Sequence, residues 1–472
     1  MFPIIRRVPL NLPKSLPLLH SSALNLTPTT VPPLSSQILD LDDTQRLFSS
    51  INTSSLLSSL AKLYGMALTP LVDLGIVALR SRAIIGTEIG RRVVKATAYE
   101  HFCAGEDAEA AARTLTVLWE RGMRGILDYG LEDAEDNAAC DRNLAGFVHT
   151  VEMTSSLPRD SVSFACVKIT AICPITLLER VSDLLRWEQK KKTRDLPWKS
   201  HSLPVLSPSS PLYHTPSSPP PLSETEEQDL RLAEERLETL CRRCSDINVP
   251  LLIDAEYTTV QPAIDYLTYS AMLRFNSSDR PIVHGTIQAY LRDAKERLVL
   301  AVEAAEKEGL SIGFKLVRGA YLTRETKLAS SLGVASPIHS NIEETHACYN
   351  DCTSFMLGKV VRGSGSVVLA THNLESGKFA AAKAEELGIN KGDEKLQFAQ
   401  LKGMAEALSI GLKNAGFQVS KYLPFGPVDQ VIPYLLRRAE ENRGFLSAST
   451  VDRQLMRKEI KRRLKAMILG RG

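Results

Sequence analysis

Apolar residues recur at helical spacing through Leu56–Leu63, Leu71–Leu79 and Ala110–Leu118, with few turn residues between them, which predicts a helical region over residues 40–123. Beyond it the pattern changes. Short β-prone runs begin to alternate with amphipathic stretches: Gly125–Tyr129, Ala165–Thr170, Leu251–Asp254, Ile282–Gln288, Ile312–Val317, Val367–Thr371, Leu396–Leu401 and Val419–Tyr422. Helical spacing fills Leu230–Asp246, Ala289–Glu308, Ile342–Arg362 and Gly377–Leu387. Strand alternating with helix predicts an α/β protein with a parallel sheet and right-handed crossovers. Eight strands predict closure into a distorted (β/α)8 barrel over residues 124–447. An open doubly wound sheet is the alternative; it requires a G-x-G-x-x-G turn after an early strand, and the sequence has none.

Three stretches fall outside this alternation. Residues 189–226 carry a basic run, Lys190–Lys192, and then a Pro/Ser-rich tract; such composition predicts a disordered, solvated insertion. Residues 1–39 hold no Asp or Glu but carry Arg6, Arg7, Lys14 and many Ser and Leu, the composition of an organelle transit peptide, with a plain disordered tail as the alternative. Pro3, Pro9, Pro13 and Pro17 weaken an amphipathic helix there, so composition does not separate mitochondrion from plastid. The third stretch is a basic helix over Arg453–Leu469 within residues 448–472, with Met456, Ile460, Leu464, Met467 and Ile468 along one side. It could lie on an anionic membrane surface or pack on the barrel.

Composition narrows the class. The chain has 472 residues, 44% hydrophobic and 24% charged, with a net charge of +3 too small to argue for nucleic acid. No run of eighteen or so predominantly apolar residues predicts a spanning helix. The nearest, Leu63–Leu79, contains Pro70 and Asp73. The eight cysteines include Cys241/Cys244 and Cys348/Cys352, both pairs within helical patterns. A metal site needs two further ligands at suitable spacing, which no neighbouring pair supplies, so free thiols and no metal are expected.

Chemistry in a closed parallel barrel gathers where strands end and run into helices. Those ends carry Lys168, Asp254, Gln288, Lys315, Arg318, Thr371, His372, Asn373 and Tyr422. A buried charge is costly unless paired, so a ring of such residues predicts a polar ligand. A late helix adds Arg437, Arg438 and Glu441, and two adjacent guanidinium groups can grip a carboxylate.

The strings DAEYT (254–258), IQAYLRD (287–293), KLVRGAY (315–321), ATHN (370–373), LKGM (401–404), YLPFG (422–426) and YLLRRAEEN (434–442) resemble, in order, those of the proline dehydrogenases. The resemblance covers residues 120–447. It implies a barrel that holds FAD and oxidises L-proline to 1-pyrroline-5-carboxylate by hydride transfer to flavin N5. It also implies a mitochondrial enzyme on the matrix side of the inner membrane, passing electrons to a quinone.

The resemblance further implies residue roles. Arg437, Arg438 and Lys168 bind the proline carboxylate, and Asp254 pairs with the arginine cluster. Ala320, Tyr321, Leu401 and Tyr422 wall the ring, while Gln288, Val317, Gly319, Thr371, His372, Asn373, Arg438 and Glu441 contact FAD. Lys168 and Lys315 are the implied catalytic cations, with Lys315 standing where bacterial relatives carry Arg. Lys lacks the planar fork, so a bidentate contact at that position is not expected. A bulky Tyr422 favours proline over hydroxyproline, leaving a hydroxyproline dehydrogenase as the nearest alternative. More distant readings are a barrel lyase using Lys168 or Lys315 as a Schiff-base nucleophile and a non-catalytic protein of the membrane surface.

Overall fold

The computed structural model describes residues 38–469 apart from 67–68, 82, 84–85, 192–195 and 445; side chains at 66, 69–71 and 441–449 are also outside the description. The expected leader lies almost wholly outside it.

Eight parallel strands close in sequence order: β1 (Arg124–Tyr129), β2 (Val162–Val167), β3 (Leu251–Ile253), β4 (Val283–Gln288), β5 (Ile312–Val317), β6 (Gly365–Ala370), β7 (Leu396–Leu401) and β8 (Val419–Phe425). Strand β8 returns to β1 with Ile126 opposite Tyr422, so no strand edge is left open. The strands formed where apolar and β-branched runs can be buried on both faces. One face looks into the barrel, where Ile126, Phe164, Cys166, Leu252, Val368, Ala399 and Tyr422 pack together. The other packs outward, as Leu127 and Leu423 do against Leu115 of the helix Ala108–Glu120.

Local signals fix where the helices start. Asp107, Asp136, Asn341 and Asn373 each accept a backbone N–H of the first turn. Ser223 and Glu226 form a reciprocal capping box at the head of Glu224–Ile247. The helix after β4 begins at Ala294, later than the apolar pattern implied. Residues 289–293 instead turn back over β5: Tyr290 N donates to Arg318 O at 2.7 Å. Its ring covers Gly319, whose φ is +133°, and a Cβ at 319 would lie 2.4 Å from that ring.

The insertion is not a solvated loop. Leu196, Leu203, Val205, Ser207, Ser210, Thr215 and Leu222 are buried. Ser210 donates to Asp293 at 2.6 Å, the His214 imidazole pairs with Thr258 Oγ1 at 2.9 Å, and Arg180 donates to the carbonyls of Pro220 and Pro221. Proline already restricts such a chain, so little entropy opposes its docking as a strap.

The helices before β1 include Thr53–Met66, Thr69–Arg80 and Glu88–Val94. No helix among the described residues is long and apolar enough to cross a membrane. The basic helix Leu446–Ile468 packs on the domain. Met456 and Ile460 are buried against Leu47, Phe48, Leu56 and Ile410, and Asp452 accepts the N–H groups of Glu406 and Ala407 at 3.0 Å. Two residues of its apolar stripe are therefore used internally; Leu464, Met467, Ile468 and Leu469 remain exposed.

Candidate active site

Inward-facing residues at the C-terminal strand ends meet in one buried network. Lys168, just past β2, donates to both oxygens of Asp128 (β1) at 3.2 Å and lies 3.7 Å from Asp254, just past β3. Lys315 (β5) hydrogen-bonds the Oδ1 of Asp254, and the Tyr422 hydroxyl donates to Oδ2 at 2.7 Å. Two carboxylates and two ammonium groups thus alternate inside the barrel, none more than 12% exposed in its side chain.

Each member sets the charge of the next. Burial opposes ionisation of Asp254, yet the Lys315 and Lys168 ammonium groups outweigh it and hold its carboxyl below the ordinary range. Burial likewise opposes the charge on Lys168, but Asp128 and Asp254 keep it protonated well above the usual lysine range. Burial and the neighbouring Asp254 push Asp128 up, against the pull of Lys168. A Schiff-base nucleophile needs the opposite shift, so Lys168 does not suit the lyase reading. Asp128, Cys166 and Asp254 offer ligand atoms within 4.8 Å of one another. The two ammonium groups already neutralise both carboxylates there and would repel a metal cation.

Above this network lies the helix Ile432–Gly444. Arg437 grips Glu132, in the loop after β1, through two bonds of 2.7 and 2.9 Å, and its guanidinium sits 5.3 Å from the Tyr321 ring centre. Burial opposes ionisation of Glu132, and Arg437 overcomes it. Tyr321 meets Tyr257 edge-on at 5.7 Å. Arg438 is buried, its guanidinium 5.2 Å from the Tyr434 ring centre. The expected pairing of Asp254 with the arginines does not occur. Asp254 lies inside the barrel and is taken by the two lysines and Tyr422, while Glu132, nearer the mouth, takes Arg437.

A second group forms on the β4–β7 side. Arg318 donates to Thr371 Oγ1 at 2.7 Å, Ser376 Oγ at 2.8 Å and His346 Nδ1 at 3.0 Å, and its guanidinium lies 4.5 Å from the Tyr349 ring centre. Asn373 caps the helix Leu374–Glu386. His372 accepts from Leu401 N at 3.1 Å, and burial pulls its imidazole down to about 3, so the ring is neutral. Gln288 donates to the carbonyl of Glu256 at 2.8 Å, and the Glu256 carboxyl accepts from Thr170 Oγ1 at 2.7 Å. Val317, Gly319, Ala320 and Leu401 are half-buried along this rim. Glu441 lies on the late helix with its side chain outside the described residues.

Sequence reasoning missed Asp128, Glu132 and Glu256. Asp128 carried a usable signal: it falls two residues after Ile126 in an apolar strand, hence on the inward face. Glu132 carried none, being one of several acids in LEDAED.

Fold and site together define a (β/α)8-barrel enzyme whose C-terminal mouth is built for a small charged ligand. The profile of the family described as proline dehydrogenase matches residues 111–451. Proline dehydrogenase 2, mitochondrial, of Arabidopsis thaliana is 57% identical over 435 residues, covering 91% of each chain. Hydroxyproline dehydrogenase of Homo sapiens is 32% identical over 427 residues, covering 87% of this chain and 91% of that one. Among solved structures, proline utilization A from Bdellovibrio bacteriovorus, inactivated by N-propargylglycine, shares the fold with a TM-score of 0.62 at 19% identity. The match covers 88% of this chain and 42% of that longer one. The chain belongs to the proline dehydrogenase family.

Proposed function

We propose that this protein is a mitochondrial proline dehydrogenase that oxidises L-proline to 1-pyrroline-5-carboxylate with FAD as the hydride acceptor. Supporting this is the placement of Arg437 over the barrel end that holds Lys168, with both cations acting on Glu132 and Tyr321.

The two halves of the mouth differ in chemistry. Strands β1–β3 and their loops supply Asp128, Glu132, Lys168, Asp254 and Glu256, groups suited to an amino acid with its own charges. The β4–β7 rim supplies Gln288, Lys315, Arg318, Thr371, His372 and Asn373, without a carboxylate among them. Amide, hydroxyl, imidazole and cationic groups fit the polar edge of a flavin and an anionic diphosphate. These residues, with Val317, Gly319, Arg438 and Glu441, would hold FAD, which when bound supplies the two-electron acceptor.

The chain's own residues then position and neutralise. Arg437, Arg438 and Lys168 hold the proline carboxylate, and Glu132 yields Arg437 to it. Ala320, Tyr321, Leu401 and Tyr422 enclose the ring and exclude water. Fixing the ring in one orientation contributes roughly several kcal/mol when geometry is good. Lys315 places positive charge where electron density accumulates, and Asp254 fixes its ammonium. Loss of hydride from the carbon beside nitrogen requires a neutral amine, whose lone pair then forms the C=N bond.

A membrane quinone on the matrix side of the inner membrane is the proposed final acceptor. The exposed Leu464, Met467, Ile468 and Leu469 at the end of a basic helix suit that surface. The test is an absorption spectrum of the purified protein: a flavin band that bleaches when L-proline is added without oxygen supports the reading. A colourless protein, or a flavin indifferent to proline, overturns it.

A further inference from the structure

Strand β7 ends at Leu401, and the next helix, Glu406–Asn414, follows after the short loop 402–405. Two residues of that loop sit in left-handed backbone. Gly403 has φ +78°, and a Cβ there would lie 2.6 Å from the His101 imidazole; Ala405 has φ +49°. A residue with a Cβ holds that conformation only where its surroundings impose it. Ala405 also stands at the head of the helix with no side chain to accept the N–H groups of the first turn. Asp452, on the C-terminal helix, accepts them instead. Glu406 N donates to its Oδ2 and Ala407 N to its Oδ1, each at 3.0 Å, and the carboxylate is buried.

The same loop is tied to the barrel and to the helices before β1. Lys421 (β8) donates to Met404 O and pairs with the Glu406 carboxylate, both at 2.9 Å. His101 Nε2 donates to Gly403 O at 2.8 Å, and Lys402 donates to Glu100 O at 2.7 Å. At the head of the loop, Leu401 donates its N–H to His372 and accepts from Met404 N, both at 3.1 Å. Its side chain packs against the inward-facing cluster that contains Tyr422. A continuous set of bonds thus runs from Asp452 through 402–405 to a residue at the barrel mouth.

We propose that Asp452 is a positioning residue for the substrate pocket: by capping Glu406–Asn414 from another helix it fixes the loop 402–405 and keeps Leu401 against the substrate ring. Asp452 touches neither substrate nor cofactor; it acts through the backbone of the loop. Without its carboxylate, two buried N–H groups lose their acceptor and the left-handed turn at Ala405 loses a restraint. The loop relaxes, and Leu401, whose carbonyl closes the same turn with Met404 N, shifts with it. A displaced wall weakens binding of the ring in ground state and transition state alike, so the loss falls on KM. That the pocket holds proline rests on the reading above; the anchoring of the loop does not.

The test uses the purified full chain carrying Asp452→Ala, with Ile460→Ala as the control for lost packing on the same helix. Asp452→Ala should raise the KM for L-proline about tenfold with kcat less affected. Its backbone amides over 401–407 should exchange hydrogen about tenfold faster than in the unmodified protein, while bound flavin, read by absorbance, stays constant. Ile460→Ala should move neither readout at an equal or greater loss of Tm. Asp452→Asn keeps one acceptor oxygen; it should fall between the two, and it carries the test if the alanine variant does not fold. Unchanged exchange over 401–407 overturns the anchoring, whatever the substrate. Faster exchange with an unchanged KM overturns the link to the pocket, as does an equal rise of KM in Ile460→Ala. An unmodified protein that does not oxidise L-proline contradicts the proline reading alone, and amide exchange then still decides the anchoring.

Discussion

The Tyr422 hydroxyl donates to Asp254 Oδ2 at 2.7 Å, while Lys315 bonds the other oxygen of the same carboxylate. Asp254 thereby ties the residue proposed to limit ring size to the cation beside the proposed flavin. Replacing Tyr422 by Ser removes the phenol from above Asp254 and opens room where a ring hydroxyl could donate to the freed oxygen. Proline binding should weaken by about 1–3 kcal/mol, and the ratio of hydroxyproline to proline turnover should rise. Steady-state kinetics with both substrates decide it; an unchanged preference would count against this role for Tyr422.

Glu132 occupies both guanidinium nitrogens of Arg437 that a substrate carboxylate would use. In the proposed binding mode substrate displaces it, so Glu132→Gln, which weakens the competing pair, should lower the KM for proline by up to about tenfold with kcat less affected. A raised KM would mean that Glu132 positions Arg437 and does not compete for it.

Glu256 gives a pH signature. Burial pushes its carboxyl up to about 8, with Glu132 adding to the rise, against the bonds from Thr170. The folded state keeps this proton up to that pH, whereas the unfolded chain releases it in the ordinary carboxylate range. The native state thus binds more protons across the window, and stability falls as pH rises through it. Thermal melts of Glu256→Gln should lose less Tm between mildly acidic and mildly alkaline pH than the unmodified protein. Parallel curves would show that Glu256 is ionised when folded.

The C-terminal helix has two separable parts. Truncation after Val451 removes Asp452, Met456 and Ile460 from their buried contacts. Each apolar side chain should cost about 1.5–3 kcal/mol, visible as a lower denaturation midpoint. Changing Leu464, Met467, Ile468 and Leu469 to Ser should leave that midpoint in place but reduce co-sedimentation with anionic liposomes. Undiminished sedimentation would assign membrane contact elsewhere.

The barrel was legible because its strands are apolar runs closed by polar residues, and Lys168, Asp254 and Lys315 stood out as charges at those closures. Their partners were less visible. Which carboxylate meets which cation depends on barrel register, as with Tyr422 opposite Ile126, and not on spacing along the chain. The resemblance suggests Asp254 as the partner of the arginines, whereas Glu132 holds Arg437. The strap over 196–223 was misread for a different reason: Leu203, Val205 and Leu222 are buried without helical or strand periodicity, amid prolines and serines that by composition indicate solvent. In the C-terminal helix, periodicity identified an apolar stripe but could not say whether protein or lipid covers it.

The most direct test of the central claim is a spectral titration with L-proline of the protein carrying Arg437→Met, which leaves the proposed FAD-contacting Arg438 in place. The account predicts an intact flavin band that no longer bleaches at proline concentrations that fully reduce the unmodified protein. Bleaching at unchanged proline concentrations would contradict it.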